Sequence, residues 1–349
     1  MNGRLGRWRE QFLGNRNINL IVANVLVLVL LAVFRPTFFS FNNLRVITLN
    51  MSAVGIASIG MAYLIIAGNV DLSVGSIYAA TAFASAWLAL SLPPPLAFLG
   101  GLVTGGVLGL INGVLVWRIR VSPIIATLGT LTIFRGMILV MTGGRGISGV
   151  PSDFFALGRA VWLGISAHVW ILLGLAIMFH IVLSQTTIGR YIYAIGSNRN
   201  AAEVSGIRVD RYVIGLFIVN GIVVAISGGL AASRFGTATV TFGIGFELDV
   251  ITAVILGGVA FTGGRGNVLG VILAVLFLGV INSGLIAVGI DPFWTDVVKG
   301  GALVFSIALE QIAEEHNERH RKRMAMAEFA EQQAERVQMS DPAQELPAS

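Results

Sequence analysis

Cysteine is absent from the 349 residues, so disulfides and thiolate metal sites are excluded, and the four histidines, His168, His180, His316 and His320, form no ligand-like cluster. No metal is expected. Charge is scarce as well: Asp, Glu, Lys and Arg make up 12% of the chain, about half the share in an ordinary soluble domain. Only eight of the 18 acidic residues lie between Ile18 and Leu309. The sequence also lacks a Gly-x-x-x-x-Gly-Lys-Ser/Thr phosphate loop, a dinucleotide-binding glycine turn after a strand, a His-Glu-x-x-His and a Gly-x-Ser-x-Gly. ATP binding, hydrolysis and cofactor chemistry are therefore not expected of this chain itself.

Hydrophobic residues make up 55% of the chain, and the mean hydropathy is +0.83. They fall into apolar runs separated by short polar breaks, the pattern of an all-α, polytopic membrane helix bundle. A span needs about 20 apolar residues. Ten are placed here, near 18–34, 44–67, 72–91, 96–117, 123–141, 165–184, 212–233, 248–261, 268–288 and 294–312. The first run is apolar behind a basic flank but ends at Arg35-Pro36 without a small-residue cleavage site, so it reads as a retained span. The spans divide the chain into a cytoplasmic segment 1–17, a transmembrane domain 18–312 and a cytoplasmic tail 313–349.

The formal charge of +5 belongs to the ends and to alternate connections. Arg4, Arg7, Arg9 and Arg16, then Arg118 and Arg120, then Arg190, Arg199, Arg208 and Arg211, then Arg319, Arg321, Lys322 and Arg323 all fall on one side. That is the positive-inside pattern of a protein with both termini cytoplasmic, and not a nucleic-acid patch. The implied surroundings are membrane lipid.

Two stretches interrupt the helical pattern: the polar segment around 68–76 and the short span 248–261. Irregular backbone at membrane depth persists only where protein or a watery cavity covers it, so both are read as broken or re-entrant helices near a pathway. Gly101, Gly105, Gly109 and Gly113 recur every four residues and predict a helix face packed closely on a neighbour. Leu108–Gly113 and Leu278–Ser283 echo each other faintly, as an inverted repeat would.

Polar side chains in apolar sequence are the candidate pathway or gate groups: Asn69, Asp71, Ser73, Asn112, Asn220, Glu247, Asp249 and Asn282. Each also has a structural reading. Asp71 reads as a helix cap with Ser73 and Asn69 as partners, Glu247 and Asp249 suit a helix start, and the asparagines suit interhelical hydrogen bonds. Arg135 pairs with a carbonyl or snorkels. Sparse Asn, Ser and Thr among glycines fit weak, replaceable contacts to a hydroxyl-rich solute, whereas an ion-coupled carrier calls for a charge relay that is barely present.

The longest inward connection, 185–211, carries Gly189, Arg190, Gly196, Asn198, Ala201, Ala202, Glu203 and Gly206. Asn198 or Asn200 caps a short helix through Ala201, Ala202 and Glu203, and Gly206 stops it. So short a helix needs a docking surface, either a partner protein or the inner rim of the bundle.

At these residues the chain resembles permeases of the sugar class of ATP-binding-cassette importers, the group that includes ribose, xylose, arabinose, galactose, rhamnose and autoinducer-2 permeases. The resemblance rests on Ile66–Ser76, on Ala126–Thr130 with Arg135-Gly136, on Gly189-Arg190 through Gly196-Ser197-Asn198 to Ser205-Gly206-Ile207, and on Ala253–Gly258 followed by Gly263–Gly266. These landmarks occur in family order over 44–310. Glu247-Leu248-Asp249 resembles the family's Glu-Leu-Asp element, while Asn69 stands where many relatives have glycine. The resemblance implies a transport subunit in a bacterial inner membrane and not an enzyme. It further implies a cytoplasmic ATPase docked on 185–211, a second permease copy or paralogue, and a periplasmic sugar-binding protein. A secondary carrier or facilitator working without an ATPase is the alternative.

Overall fold

The structure, a computed structural model, describes residues 16–291, 293–305, 307, 308 and 326. The chain divides into two units, Met1–Leu303 and Val304–Ser349. In the second, the described residues 304, 305, 307, 308 and 326 are helical. The terminal segments assigned above to 1–17 and 313–349 lie outside the described residues except at 16, 17 and 326, as does much of 294–312 beyond residue 305.

The first unit is built from α1 (Arg16–Phe34), α2 (Phe41–Ile66), α3 (Val74–Ala89), α4 (Pro94–Trp117), α5 (Pro123–Thr142), the short α6 (Phe155–Arg159), α7 (Ala167–Gln185), α8 (Thr187–Ser197), α9 (Arg199–Val204), α10 (Val209–Phe235), α11 (Phe246–Leu256) and α12 (Val268–Ala287). The only sheet among the described residues is a two-stranded hairpin, β1 (Val161–Trp162) with β2 (Ile165–Ser166). Proline stands in the first turns of α4 and α5, where a missing N–H costs nothing.

Among the described residues seven helices, α1, α2, α4, α5, α7, α10 and α12, are long and apolar enough to cross a membrane. Unlike a water-soluble bundle, the protein is apolar on its outer surface as well as in its core. Helices α2 and α10 form the core, whereas α1 exposes Ile21, Val22, Leu26, Leu30 and Phe34, and α5 exposes Ile125, Ile133, Val140 and Met141. Apolar side chains facing outward on long helices are what a hydrocarbon solvent demands.

Two of the ten expected spans are not full-length helices. The run 72–91 forms only α3, 16 residues or about 24 Å, and 248–261 forms only α11, 11 residues or about 16 Å. The reason is local. Helix α2 ends at Gly68, which takes φ +74°, with Gly68 N donating to Ile65 O (2.9 Å) and Asn69 N to Leu64 O (2.8 Å), a Schellman termination. Residues 67–73 then run as irregular chain into the bundle before α3 begins. Residues 236–245 do the same ahead of α11, anchored at their start by pairing of Ala238 with Ile147.

The glycine row of α4 packs as its spacing predicts. A Cβ at Gly105 would lie 2.3 Å from Gly221 O, and one at Gly109 would lie 2.2 Å from Phe217 O, both on α10, while Gly101 faces Ser85 on α3. The close approach of α4 and α10 therefore depends on hydrogen at these positions. Gly109→Val is expected to cost at least about 3 kcal/mol, because the atom it strikes is backbone and cannot rotate away. Gly129→Val, on α5 with nothing within 4 Å, is expected to leave stability unchanged. Thermal unfolding of the two variants in detergent checks the pair: equal melting temperatures would disprove the close-packing account.

The sequence echo between 108–113 and 278–283 has no matching surroundings. Gly109 and Asn112 are packed inside, whereas Gly279 meets Met51 of α2 and Asn282 is half-exposed. Small and apolar residues recur in any membrane helix, which is enough to produce six such matches.

Candidate functional site

Four of the eight candidate polar residues converge on one point. Asp71 lies in the irregular link between α2 and α3, Ser73 at the start of α3, Asn112 on α4 and Asn220 on α10, and all four are 0% exposed. Asp71 Oδ1 accepts from Ser73 N (2.9 Å), Ser73 Oγ (2.6 Å) and Asn112 Nδ2 (3.3 Å), and Oδ2 accepts from Asn220 Nδ2 (3.1 Å). Asn112 Nδ2 also donates to Ser73 Oγ (2.7 Å). One carboxylate thus ties the broken segment to two long helices, with donors from three directions replacing water.

The helix-cap expectation for Asp71 is corrected in detail. Ser73 holds the cap position of α3, and Asp71 closes a turn onto the backbone of the residue two further on, because irregular chain continues through Leu72. Asn69 does not join the cluster; its Nδ2 donates to Ala67 O (3.0 Å) within the turn that ends α2.

The remaining candidates sit elsewhere. The N-terminal ends of α3 and α11 meet: Tyr78 stacks on Phe246 at 4.4 Å between centroids, and a Cβ at Gly75 would lie 2.4 Å from Gly243 O and 2.2 Å from Glu247 Oε2. Glu247 is therefore at the junction of two half-length helices. Arg135, the thirteenth residue of α5, donates to Phe242 O (2.6 Å) and Val240 O (3.2 Å), and its second amino group reaches Gly75 O (3.5 Å). It satisfies carbonyls that the irregular segment 236–245 leaves open, as the carbonyl-pairing reading of Arg135 requires. Asp249 pairs with Lys299 at 2.7 Å, and both border a small pocket of about 80 Å³ with Asn282, Asn50 and Ser283.

The 185–211 connection folds into an elbow of two helices. Thr186 caps α8 by accepting from Gly189 N, and Asn198 caps α9 by accepting from Ala201 N (3.0 Å). Gly206, at φ +84°, ends α9 with Gly206 N donating to Glu203 O (3.0 Å) and Ile207 N to Ala202 O (3.1 Å). Asn198, not Asn200, is the cap. Gly189 and Ala202 face inward, whereas Arg190, Asn198, Ala201, Glu203 and Gly206 are exposed. Arg199 stacks over Trp117 at 4.2 Å and lies 3.9 Å from Glu203; partial burial pulls its guanidinium below its ordinary range, and the Glu203 charge opposes that shift.

Two features went unread in the sequence: what Gly196, a named residue of the 185–211 connection, packs against, and the exposure of Val204. Gly196 is wedged so that a Cβ would lie 1.8 Å from Ile66 O and 2.6 Å from Gly264 N, while Gly264 N donates to Ile66 O at 2.8 Å. The end of α8, the end of α2 and the glycine turn after α11 therefore touch at one place, to which Tyr193 Oη adds a bond to Gly266 O (2.6 Å). Val204, on the last turn of α9, is 90% exposed. A large apolar side chain beside Glu203 was legible in the sequence, but its outward direction was not. Among the described residues no cluster of acidic or histidine side chains is arranged to hold a metal.

A bundle of long apolar helices, with irregular half-crossings held by buried polar contacts and an exposed helical elbow at one end, defines a multi-pass membrane transport subunit. Comparison with known proteins gives the family: residues 43–307 match the one described as branched-chain amino acid transport system / permease component, and the chain belongs to it. The ribose import permease protein of Haemophilus influenzae is 36% identical over 82% of this chain and 90% of its own length. The D-allose transport system permease protein of Escherichia coli is 35% identical over 79% and 85%, and the L-arabinose transport system permease protein of the same species 33% over 84% and 89%. No solved structure matches the chain. Its relatives are permeases, and the chain is likewise a transport subunit and not an enzyme.

Proposed function

We propose that this chain is the membrane-spanning subunit of an ATP-driven, binding-protein-dependent importer of a sugar or sugar-like solute. The observation that carries the reading is the α8–α9 elbow: capped at both ends of α9, exposed through Val204 and Glu203 on one side, and wedged through Gly196 against the end of α2 and the turn after α11 on the other. A short exposed helix tied to the interrupted crossings is placed to pass motion from a docked ATPase to them. Ribose, allose and arabinose permeases among the relatives support a sugar as the solute.

In this reading the chain lies in a bacterial inner membrane with the elbow and both termini on the cytoplasmic side, as the arginine distribution favours. Ten crossings result when 67–89, 236–256 and 294–312 are added to the seven long helices. The domain limits are then 1–17, 18–312 and 313–349. A second permease copy or paralogue pairs with the chain, and a periplasmic sugar-binding protein delivers the solute. Asp71, Ser73, Asn112 and Asn220, with Asn69, brace the broken crossing, while Glu247, Asp249 and Asn282, nearer to open space, are the pathway or gate groups.

The test is Val204→Asp. An exposed substitution of this kind changes stability by no more than about 0.5 kcal/mol. It should nonetheless reduce uptake of the cognate sugar at least tenfold and remove the ATPase from the tagged permease purified in mild detergent. Undiminished uptake, with the ATPase still bound, would disprove the docking assignment. A permease that carries no ATPase even as wild type, with dissociation excluded by crosslinking, would instead indicate a secondary carrier.

A further inference from the structure

A cleft of about 690 Å³ opens where α4 ends, between the 118–122 turn, the first residue of α5, α9 and the start of α10. Four arginines border it, Arg118, Arg120, Arg199 and Arg208, against two acids, Glu203 and Asp210. Glu203 is engaged by Arg199, which is itself held over the Trp117 ring. Arg118, Arg120 and Arg208 make no ion pair among the described residues, so the cleft keeps an excess of positive charge with guanidinium groups free to fork onto an anion.

What adjoins the cleft limits what that anion is. Immediately past Pro123, α5 presents Ile124, Ile125 and Leu128 outward, with Ile125 67% exposed, and Ile119 stands out from the turn itself. The indole of Trp117 lies at the same level, where an amphipathic ring suits a membrane–water boundary. A basic cleft that runs directly into an uncovered apolar helix face matches a molecule with an anionic head and hydrocarbon tails. A free phosphate would leave the apolar strip unused, and an acidic protein loop would not reach along a crossing helix.

We propose that this cleft is a binding site for an anionic phospholipid, its phosphate held by Arg118, Arg120 and Arg208 and its acyl chains laid along Ile124, Ile125 and Leu128. The inference rests on the reading of α4 and α5 as membrane crossings. Because Arg208 and Glu203 flank the end of α9, a bound headgroup also braces the elbow, and lipid charge becomes a determinant of its position.

The experiment is native mass spectrometry of the full-length protein in detergent, titrated with phosphatidylglycerol or with phosphatidylcholine. Wild type is expected to hold one phosphatidylglycerol after all phosphatidylcholine has dissociated. Arg118→Gln with Arg120→Gln should weaken that lipid about 30-fold, since each basic group near an anionic surface contributes about a fivefold factor. Arg118→Lys with Arg120→Lys keeps the charges without the forked guanidinium contacts and should bind between the wild type and the Gln pair, which separates lost charge from lost folding. Equal retention of the two lipids by wild type would overturn the site, as would undiminished phosphatidylglycerol binding by the double Gln variant. Displacement of the lipid by an equal concentration of glycerol 3-phosphate would overturn the lipid assignment in favour of a soluble phosphate. Uptake is not the readout, so failure here is distinct from failure of the importer reading.

Discussion

Asp71→Ala is expected to lower the unfolding free energy by about 2–5 kcal/mol, because several buried donors lose their acceptor at once. The carboxylate accepts from Ser73, Asn112 and Asn220, and all four residues are sealed from water. Alanine leaves a void and strands donors of Ser73 and Asn220, while Asn112 keeps its bond to Ser73 Oγ, each unsatisfied polar group costing about 1–3 kcal/mol. The loss is concentrated where α3, α4 and α10 meet the irregular link, which has no helical hydrogen bonds of its own to fall back on. Asp71→Asn keeps the volume and one accepting oxygen but sets an amide against that of Asn220, so an intermediate loss is expected. Thermal unfolding of the three proteins in the same detergent checks the order. If Asp71→Ala melts with wild type while uptake is lost, the bracing role is wrong and the residue contacts the solute or the gate.

Gly196→Val should abolish transport in a protein that still inserts. Carbon and oxygen do not approach within about 3 Å without repulsion, and the new Cβ would start 1.8 Å from Ile66 O and 2.6 Å from Gly264 N. Both obstacles are backbone. The end of α8 must back away by more than 1 Å, loosening the Tyr193-to-Gly266 bond that joins the elbow to the turn after α11 and disturbing the adjacent Gly264-to-Ile66 bond between that turn and the end of α2. Coupling free energies between protein sites are typically about 1–3 kcal/mol, or 5–150-fold, so disrupting the junction should reduce uptake at least tenfold. The measurement is ATP hydrolysis and sugar uptake in the same reconstituted vesicles: hydrolysis retained with uptake lost is the expected uncoupling. Normal uptake would show that the junction is packing alone.

The two variants separate bracing from coupling. Asp71 acts on the stability of the bundle from within, whereas Gly196 acts at its end, on the contact through which the elbow reaches α2 and the turn after α11. Transport is lost in either case, but by loss of folded protein in the first and by loss of transmission in the second.

The sequence by itself determined the solvent and much of the local structure. Scarce carboxylates and repeated apolar runs specify helices in hydrocarbon, because an unpaired backbone has no water there to satisfy it. The row Gly101, Gly105, Gly109 and Gly113 marked a closely packed helix face, since residues four apart share a helix side; it meets α3 at Gly101 and α10 at the other three. Gly206 marked the end of α9, and its start was narrowed to Asn198 or Asn200, because capping is a matter of a few adjacent residues.

Only the tertiary structure decided which polar residues meet. Asp71, Asn112 and Asn220 are separated by 41 and 108 positions, and nothing local distinguishes them from Asn282, which lies in a different pocket beside Asp249 and Lys299. Likewise the segment 236–245 has turn-like composition, but the carbonyl anchor that Arg135 gives it depends on how α5 lies beside it. Gly196 was named as part of the 185–211 connection, but its backbone contacts with Ile66 and Gly264 exist only because the ends of α2 and α8 are brought together. Hydropathy and capping are properties of neighbours along the chain, whereas a buried hydrogen bond or a backbone contact is fixed by the packing of the whole bundle.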